Sequence, residues 1–449
     1  MDFKNNNEIK SYINDICDQV KNKRVHKEII AELNAHLEEK ANEYLKGGKS
    51  ETEAIKEAIK EMGSSKHVGD ELNEIHKCNP EWSIIVISIT LVLLSIGVMT
   101  FFNIDAYFMK VYRTGYAFNK MILLNMIGVI TLLIACFIDY RKIKKYSKYI
   151  YAVATFILIF TDTLAFGTRG GSPQELDLGW DLSINMAYFG PAIFIISLAG
   201  MYDQYDWDNR DNIIKGLLIG IIPLLLLVNS TQALVCFVVY GLSLDVLVYM
   251  SKSKKKILGL FVSIEFLILY LAKIGFECAF GFINRWNDIN DSGYIYNQLK
   301  IMRESSSLIG SGMIFDQYKL PGFNNDFIFS YIVYSFGWVV GVIVVILIST
   351  LLIRIIKIAI NVKNSYGKSL VLGITTILGI QFIWHIFSNL GLFMYAGAPL
   401  PFVSYSGTTI VINMCIVGII INVYKGRSIS NVELINDFPY RCIITITKR

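Results

Sequence analysis

The chain opens on a charged stretch in which apolar residues recur at helical spacing, then passes into long runs that carry almost no charge. In the opening stretch, up to about residue 78, Ile9, Tyr12, Ile13 and Ile16 make one apolar stripe, and Ile29, Ile30, Leu33 and Leu37 a second. A turn at Gly47-Gly48 follows. Ser50 and Glu53 then stand at the spacing of a capping box. Ala54, Ile55, Ala58, Ile59 and Met62 continue one helix face until Gly63 ends it. This pattern predicts three or so short amphipathic helices. Beyond them lie ten apolar segments: 83–102, 121–138, 147–166, 184–201, 213–229, 231–250, 257–275, 327–353, 368–390 and 406–424. A helix needs roughly 20 apolar residues to cross a bilayer core, whereas a membrane β-barrel would show short alternating segments. The predicted fold is therefore all-α. It is a polytopic membrane protein with about ten transmembrane helices over 81–425, a small N-terminal cytoplasmic helical domain over 1–80 and a cytoplasmic tail over 426–449.

Charge gives this pattern an orientation. Ten spans put both termini on one side. Arg141-Lys142-Ile143-Lys144-Lys145, Lys252-Ser253-Lys254-Lys255-Lys256 and the loop with Arg354, Lys357, Lys363 and Lys368 all fall on the N-terminal side. The positive-inside rule makes that side cytoplasmic. The loop at 202–212 is acidic, but the rule counts Lys and Arg rather than net charge. Of the 449 residues 53% are hydrophobic and 18% charged, against about 25% charged in an ordinary soluble domain. The net charge of +5 comes without a basic stripe interleaved with aromatics, which argues against a nucleic-acid partner. The seven cysteines lack paired metal spacing, and those inside apolar spans read as small buried hydrophobes. With no cleavable signal peptide evident, the first span would serve as the insertion signal. Two readings stay open for the first eighty residues, a solvated bundle or a partner-binding module. Glu32-Leu33-x-x-His36-Leu37, Gly48, Glu53-Ala54-Ile55 and Met62-Gly63 resemble the permease prefix domain found ahead of some bacterial membrane proteins, a resemblance that implies no chemistry.

Candidate chemistry gathers in the non-cytoplasmic segments. One, 167–183, is rich in Gly and acids. The other, 276–326, carries Gly310-Ser311-Gly312 and many aromatics, and is read as a folded, partly re-entrant cap over a cavity. It ends in Leu320-Pro321-Gly322-Phe323-Asn324-Asn325-Asp326-Phe327-Ile328-Phe329, so Asp326 stands where the loop meets a long charge-free helix. A carboxylate there is costly unless solvated or paired. By residue type it is either a helix N-cap or a functional group. Asp162, Glu265 and His385 are ionisable residues within spans, where a functional role is the default hypothesis. Glu265 faces either a neighbouring helix or a lipid-tail groove, and Lys273 is near enough along the helix to pair with it.

These residues also carry a resemblance. A loop of Leu-Pro, four residues, then Asp-Phe-Ile-Phe before a transmembrane helix is similar to that of the SEDS family of bacterial membrane glycosyltransferases, the RodA, FtsW and SpoVE group. Gly293-Tyr294 and Gln298 resemble its Gly-Tyr-Gln-x-x-Gln stretch, and Gly310-Ser311-Gly312 its later Gly-x-Gly. Gln381, Gly391 and Gly397 lead into Pro399-Leu400-Pro401-Phe402-Val403-Ser404-Tyr405-Ser406-Gly407, similar to the family signature Gly-Ile-Pro-Leu-Pro-Phe-x-Ser-Tyr-Gly-Gly. The chain also departs from the family. Paired glutamates eight and nine residues after the aspartate are Tyr334 and Ser335, and an acid-and-lysine motif in the fourth span is reduced to Gly190-Pro191-Ala192-Ile193. Leu227-Val228-Asn229 stands for a Gln-Pro-Asp motif, and His385 for an asparagine. Trp180 stands one residue out of register with the family's tryptophan.

The resemblance implies a peptidoglycan glycosyltransferase that polymerises lipid II at the outer face of the bacterial cell membrane. Asp326 would be the catalytic general base on the acceptor hydroxyl. A diphosphate leaves as a stabilised anion and needs cations rather than a second acid. Arg285, Lys300, Arg303 and Lys319 lie in the same outer loop. Arg285 is preferred because the family carries an arginine ahead of its Gly-Tyr-Gln stretch. Tyr294, Gln298, Lys319, Trp180, Pro399, Pro401 and Ser404 complete the expected substrate-binding set, with Pro399 and Pro401 either shaping the mouth of the cavity or simply ending a helix. A divalent cation could assist, yet the sequence presents no closed ligand set. The family also implies a class B penicillin-binding protein as partner. Two other readings remain: a non-catalytic regulator that binds lipid II or a partner, and a flippase for lipid-linked precursors.

Overall fold

The computed structural model describes residues 6–23, 25–75, 82–108, 114–165, 175–177, 183–227, 233–251, 255–271, 292–310, 320, 322–395, 397–404 and 407–426. The chain divides into two compact units, one containing Met1–Pro80 and the other spanning Glu81–Tyr424.

The N-terminal unit holds four helices: α1 (Asn7–Gln19), α2 (His26–Lys46), α3 (Glu51–Met62) and α4 (Ser65–Ile75). The expected stripes form its core, with Ile9, Tyr12, Ile13 and Ile16 of α1 buried against Ile29, Leu33 and Leu37 of α2. Ile30 is half-exposed, because it stands one residue round the helix from Ile29. The capping box is present in both directions: Ser50 Oγ accepts from Glu53 N, and Glu53 accepts from Ser50 N at 3.2 Å. Gly63 ends α3 at φ +96°. The fourth helix, α4, goes beyond the expected three. Its polar sequence hides a short apolar face that lies on α1, where Gly69 sits against Gln19 and Ile16.

The membrane unit contains α5 (Trp82–Phe108), α6 (Thr114–Phe137), α7 (Tyr140–Ala165), α8 (Met186–Tyr202), α9 (Arg210–Leu227), α10 (Ala233–Met250) and α11 (Lys255–Leu271). After these come α12 (Ser292–Ser305), α13 (Ile328–Phe336), α14 (Trp338–Asn361), α15 (Ser365–Asn389) and α16 (Gly407–Lys425). An antiparallel ribbon of β1 (Glu175–Asp177) and β2 (Ser183–Asn185) interrupts this helical order between α7 and α8. Among the described residues, four stretches are long and apolar enough to cross a membrane: Trp82–Phe101, Asn119–Phe137, Trp338–Asn361 and Ser365–Asn389. Tyr188–Tyr202, Leu234–Met250 and Thr409–Lys425 are shorter apolar helices. Burial separates the long ones by position. The apolar window of α15 is 56% buried and packs against α8, α10 and α14, whereas that of α14 is only 28% buried and so presents most of its surface outward.

One expected span is corrected. The continuous segment 327–353 is not one helix but two, α13 and α14, broken at Gly337. Gly337 has φ +90°, and a Cβ there would stand 2.6 Å from Gly310 N and Leu308 O. A break buried in protein strands backbone groups that must find partners. The backbone of Ser307–Gly310 supplies them: Gly310 N donates to Phe336 O (2.9 Å), Trp338 N to Ser307 O (3.1 Å) and Val339 N to Leu308 O (3.1 Å). The result is a short half-helix, α13, whose end is held by the Ser307–Gly310 segment.

Candidate active site

Asp326 ends a tight turn rather than beginning a helix. Asn325 N, Asp326 N and Phe327 N all donate to Gly322 O, at 3.0, 2.8 and 3.3 Å, with Gly322 at φ +77°. Helix α13 is capped by Phe327 with no side-chain hydrogen bond. The N-cap reading of Asp326 therefore falls, because its carboxylate is engaged elsewhere. Tyr395 Oη donates to Oδ2 at 2.8 Å and Asn325 Nδ2 to Oδ1 at 3.0 Å. Enclosure by protein pushes the Asp326 carboxyl above its ordinary range, and the Tyr395 hydrogen bond acts against this by favouring the charged form. Tyr395 is pushed far upward by burial first and then by the neighbouring Asp326 charge, so its hydroxyl stays protonated and donates.

The end of α15 holds the turn from behind. Asn389 Nδ2 donates to Asp326 O (3.0 Å) and His385 O (2.9 Å), while its Oδ1 accepts from Ser330 N (3.1 Å) and Ser330 Oγ (2.8 Å). One amide thus ties the carbonyl of Asp326 to the first turn of α13. The connection from α15 to α16 closes the site from another side. Ser404 Oγ donates to Asn325 O at 2.7 Å and accepts from Leu400 N at 2.7 Å, so the Pro-Leu-Pro run is stitched to the residue before Asp326. Pro399 and Pro401 are buried in this irregular segment, well after α15 has ended at Asn389. They do not terminate that helix. Phe402 lies at φ +67°, a left-handed conformation rare for a side chain of this bulk, and is held by burial. His385 is fully buried and its Nδ1 meets Ala398 O at 2.6 Å, with Nε2 unpartnered. Tyr188 donates to Gly397 O and Ser95 to Val403 O (2.9 Å).

Helix α12 supplies the last wall. Tyr296 Oη accepts from Tyr395 N at 2.7 Å, and Arg303 donates to Leu390 O at 2.6 Å. Arg303, Phe329, Ser330, Val333, Trp338 and Asn389 line a shallow groove, with the guanidinium and two polar side chains against an apolar wall.

Of the residues expected at the site, the structure brings Asp326 and Ser404 into one hydrogen-bonded assembly, through Asn325, and places Pro399 and Pro401 in the segment that Ser404 anchors. Tyr294 and Gln298 are half-buried on α12, but the bonds from that helix come from Tyr296 and Arg303. Lys300 is exposed and pairs with Glu304 at 3.9 Å. Arg285, Lys319, Trp180 and Lys273 lie outside the described residues, as does the side chain of Asp162. Glu265 takes the first of its two expected positions. It faces a neighbouring helix, with Oε2 2.9 Å from where a Cβ on Gly241 of α10 would be. Among the described residues no three His, Cys, Asp or Glu side chains gather as a metal ligand set. Sequence reasoning missed Tyr395, Tyr296 and Asn389. Asn389 had a weak signal, since Gln381, His385 and Asn389 recur every fourth residue in an apolar helix, but Tyr395 had none.

Residues 83–429 match the FtsW/RodA/SpoVE family, described as cell cycle proteins. The chain belongs to the FtsW/RodA/SpoVE family. It is 22% identical over 360 residues to a probable peptidoglycan glycosyltransferase FtsW of Geobacter metallireducens, covering 76% of this chain and 94% of that protein. It is 26% identical over 368 residues to stage V sporulation protein E of Bacillus subtilis, covering 78% and 98%. RodA, the rod shape determining protein of Thermus thermophilus, superposes with a TM-score of 0.57 at 16% identity, covering 79% of this chain and 99% of that one. A chain from a study of coordinated polymerization and crosslinking by a peptidoglycan synthase complex superposes with 0.61 at 15% identity, covering 78% and 98%. The membrane unit thus has the family fold and is that of an integral membrane protein. The four-helix N-terminal unit precedes the matched region.

Proposed function

We propose that this FtsW/RodA/SpoVE family member is a peptidoglycan glycosyltransferase that polymerises lipid II at the outer face of a bacterial cell membrane. The observation that carries the reading is the Asp326 carboxylate. It is held by one neutral donor on each oxygen and has no ion-pair partner among the described residues, and Asn389, which binds its backbone carbonyl, also lines the groove that holds Arg303. In the reaction, a sugar hydroxyl of one lipid-linked disaccharide attacks the anomeric carbon of the growing chain. Its proton passes to Asp326, the new C–O bond forms, and the old bond to the lipid diphosphate breaks with the electron pair leaving on the diphosphate. Each oxygen of Asp326 has a lone pair left for that proton. Of the four cations expected to meet the departing anion, Arg285, Lys300, Arg303 and Lys319, Arg303 is the one whose guanidinium is bonded into the described site, at Leu390 O.

The positive clusters at 141–145, 252–256 and 354–368 support an orientation with both termini cytoplasmic and Asp326 outside. A class B penicillin-binding protein is the partner that this activity calls for. The deciding experiment is lipid II polymerisation by the purified protein with that partner, wild type against Asp326→Ala. Glycan strands from wild type and none from the variant support the enzyme. Equal product from both removes Asp326 as the base. One observation favours a second reading, a non-catalytic regulator: Tyr334 and Ser335 replace the family's paired glutamates on α13. Lipid II binding without polymerisation by wild type would select it.

A further inference from the structure

Tyr395 is fixed in three ways, and all three address the turn that carries Asp326 or its support. Its ring packs on Phe327, the next residue after Asp326, with centroids 4.8 Å apart. Its backbone N–H donates to Tyr296 Oη on α12 at 2.7 Å. Its hydroxyl donates to Asp326 Oδ2 at 2.8 Å. We propose that Tyr395 is the positioning residue for Asp326: its hydroxyl pins Oδ2 while Asn325 pins Oδ1, so that the acceptor sugar hydroxyl meets the carboxylate in a single orientation. This rests on the reading of Asp326 as the general base.

Asn325 aside, no other described side chain bonds this carboxylate. The titratable and charged side chains on the elements around the site have partners of their own. Arg303 of α12 binds Leu390 O, His385 of α15 binds Ala398 O, Tyr188 of α8 binds Gly397 O, and Tyr296 receives the Tyr395 N–H. Tyr331 of α13 is buried with its ring 5.5 Å from Phe323. Tyr395 is the titratable residue bonded to the carboxylate. A donor on a carboxylate also favours its ionised form, which a base in a water-poor crevice requires. Tyr395 therefore sets both the direction of the base and the pH at which it works.

The test is Tyr395→Phe in full-length protein, assayed by lipid II polymerisation across pH. The ring, its packing on Phe327 and the backbone bond to Tyr296 all survive this change. The expected result is a kcat lower by about tenfold with KM within about twofold, and an acid limb of the pH profile displaced upward by about one unit. Asn325→Ala, which strips the donor from the other oxygen, moves the limb in the same direction. Two results overturn the proposal. One is an unmoved acid limb in both variants, whatever the rate. The other is a loss of rate that follows a fall in the thermal unfolding midpoint. Asp326→Ala in the same assay separates the two levels: if it polymerises like wild type, the general-base reading fails and Tyr395 has nothing to position.

Discussion

Asp326 and Glu265 are both carboxylates sunk in the membrane unit, and their surroundings could hardly differ more. Asp326 has a donor on each oxygen and a backbone carbonyl tied by Asn389, whose side chain also lines the groove that holds Arg303. Glu265 lies on α11 over Gly241 of α10, with Oε1 buried and unpartnered. Its nearest charged company is Asp245, an acid whose own Oδ1 is also buried without a partner. Burial of an acid therefore does not by itself bring donors to it. Donors that hold the charged form are what distinguish the two.

The comparison can be broken or sharpened in order of effect. Asp326→Asn, which keeps the shape and removes the base, should cut polymerisation by about 100-fold or more in a glycan-strand assay. A rate within twofold of wild type would sink the assignment. Asn389→Ala orphans Ser330 and frees the Asp326 carbonyl, so it should cost about 1–3 kcal/mol in thermal unfolding and lower kcat as well. The pH profile offers a third test. Enclosure raises the Asp326 carboxyl, and the base works when ionised, so activity should fall away on acidification at a pH above the ordinary aspartate value of about 4. Gly337→Ala forces a side chain into φ +90° against the Ser307–Gly310 backbone, and should destabilise by about 1–3 kcal/mol with the chemistry intact per folded molecule. Glu265→Gln should leave polymerisation within about twofold of wild type, below the roughly 1.4 kcal/mol that a tenfold change represents. A large loss there would mean that the α10–α11 acids take part after all.

The N-terminal unit was legible where its signals were local. The stripes of α1 and α2 (Ile30 excepted), the Ser50–Glu53 box and the stop at Gly63 fell where spacing placed them, whereas α4 was hidden because a short polar helix shows its apolar face only once α1 is beside it. In the membrane unit the apolar segments gave helices, but the break at Gly337 was invisible inside an unbroken apolar run. The site was half legible. Asp326 and the Pro-Leu-Pro-Phe run could be picked out by resemblance, and Ser404 with them. What they bind could not: Tyr395 lies sixty-nine positions from Asp326.

The sequence by itself determined the helices, their apolar character, the charge asymmetry of the loops and the family, because helical hydrogen bonds and membrane burial are read out over a few neighbouring residues. Only the tertiary structure decided that Asp326 is a bound carboxylate and not a helix cap, that Asn389 and Ser404 brace its turn, and that Glu265 has no such company. Those outcomes depend on which groups packing brings within about 3 Å of each other, a condition on distance in space that spacing along a chain does not encode.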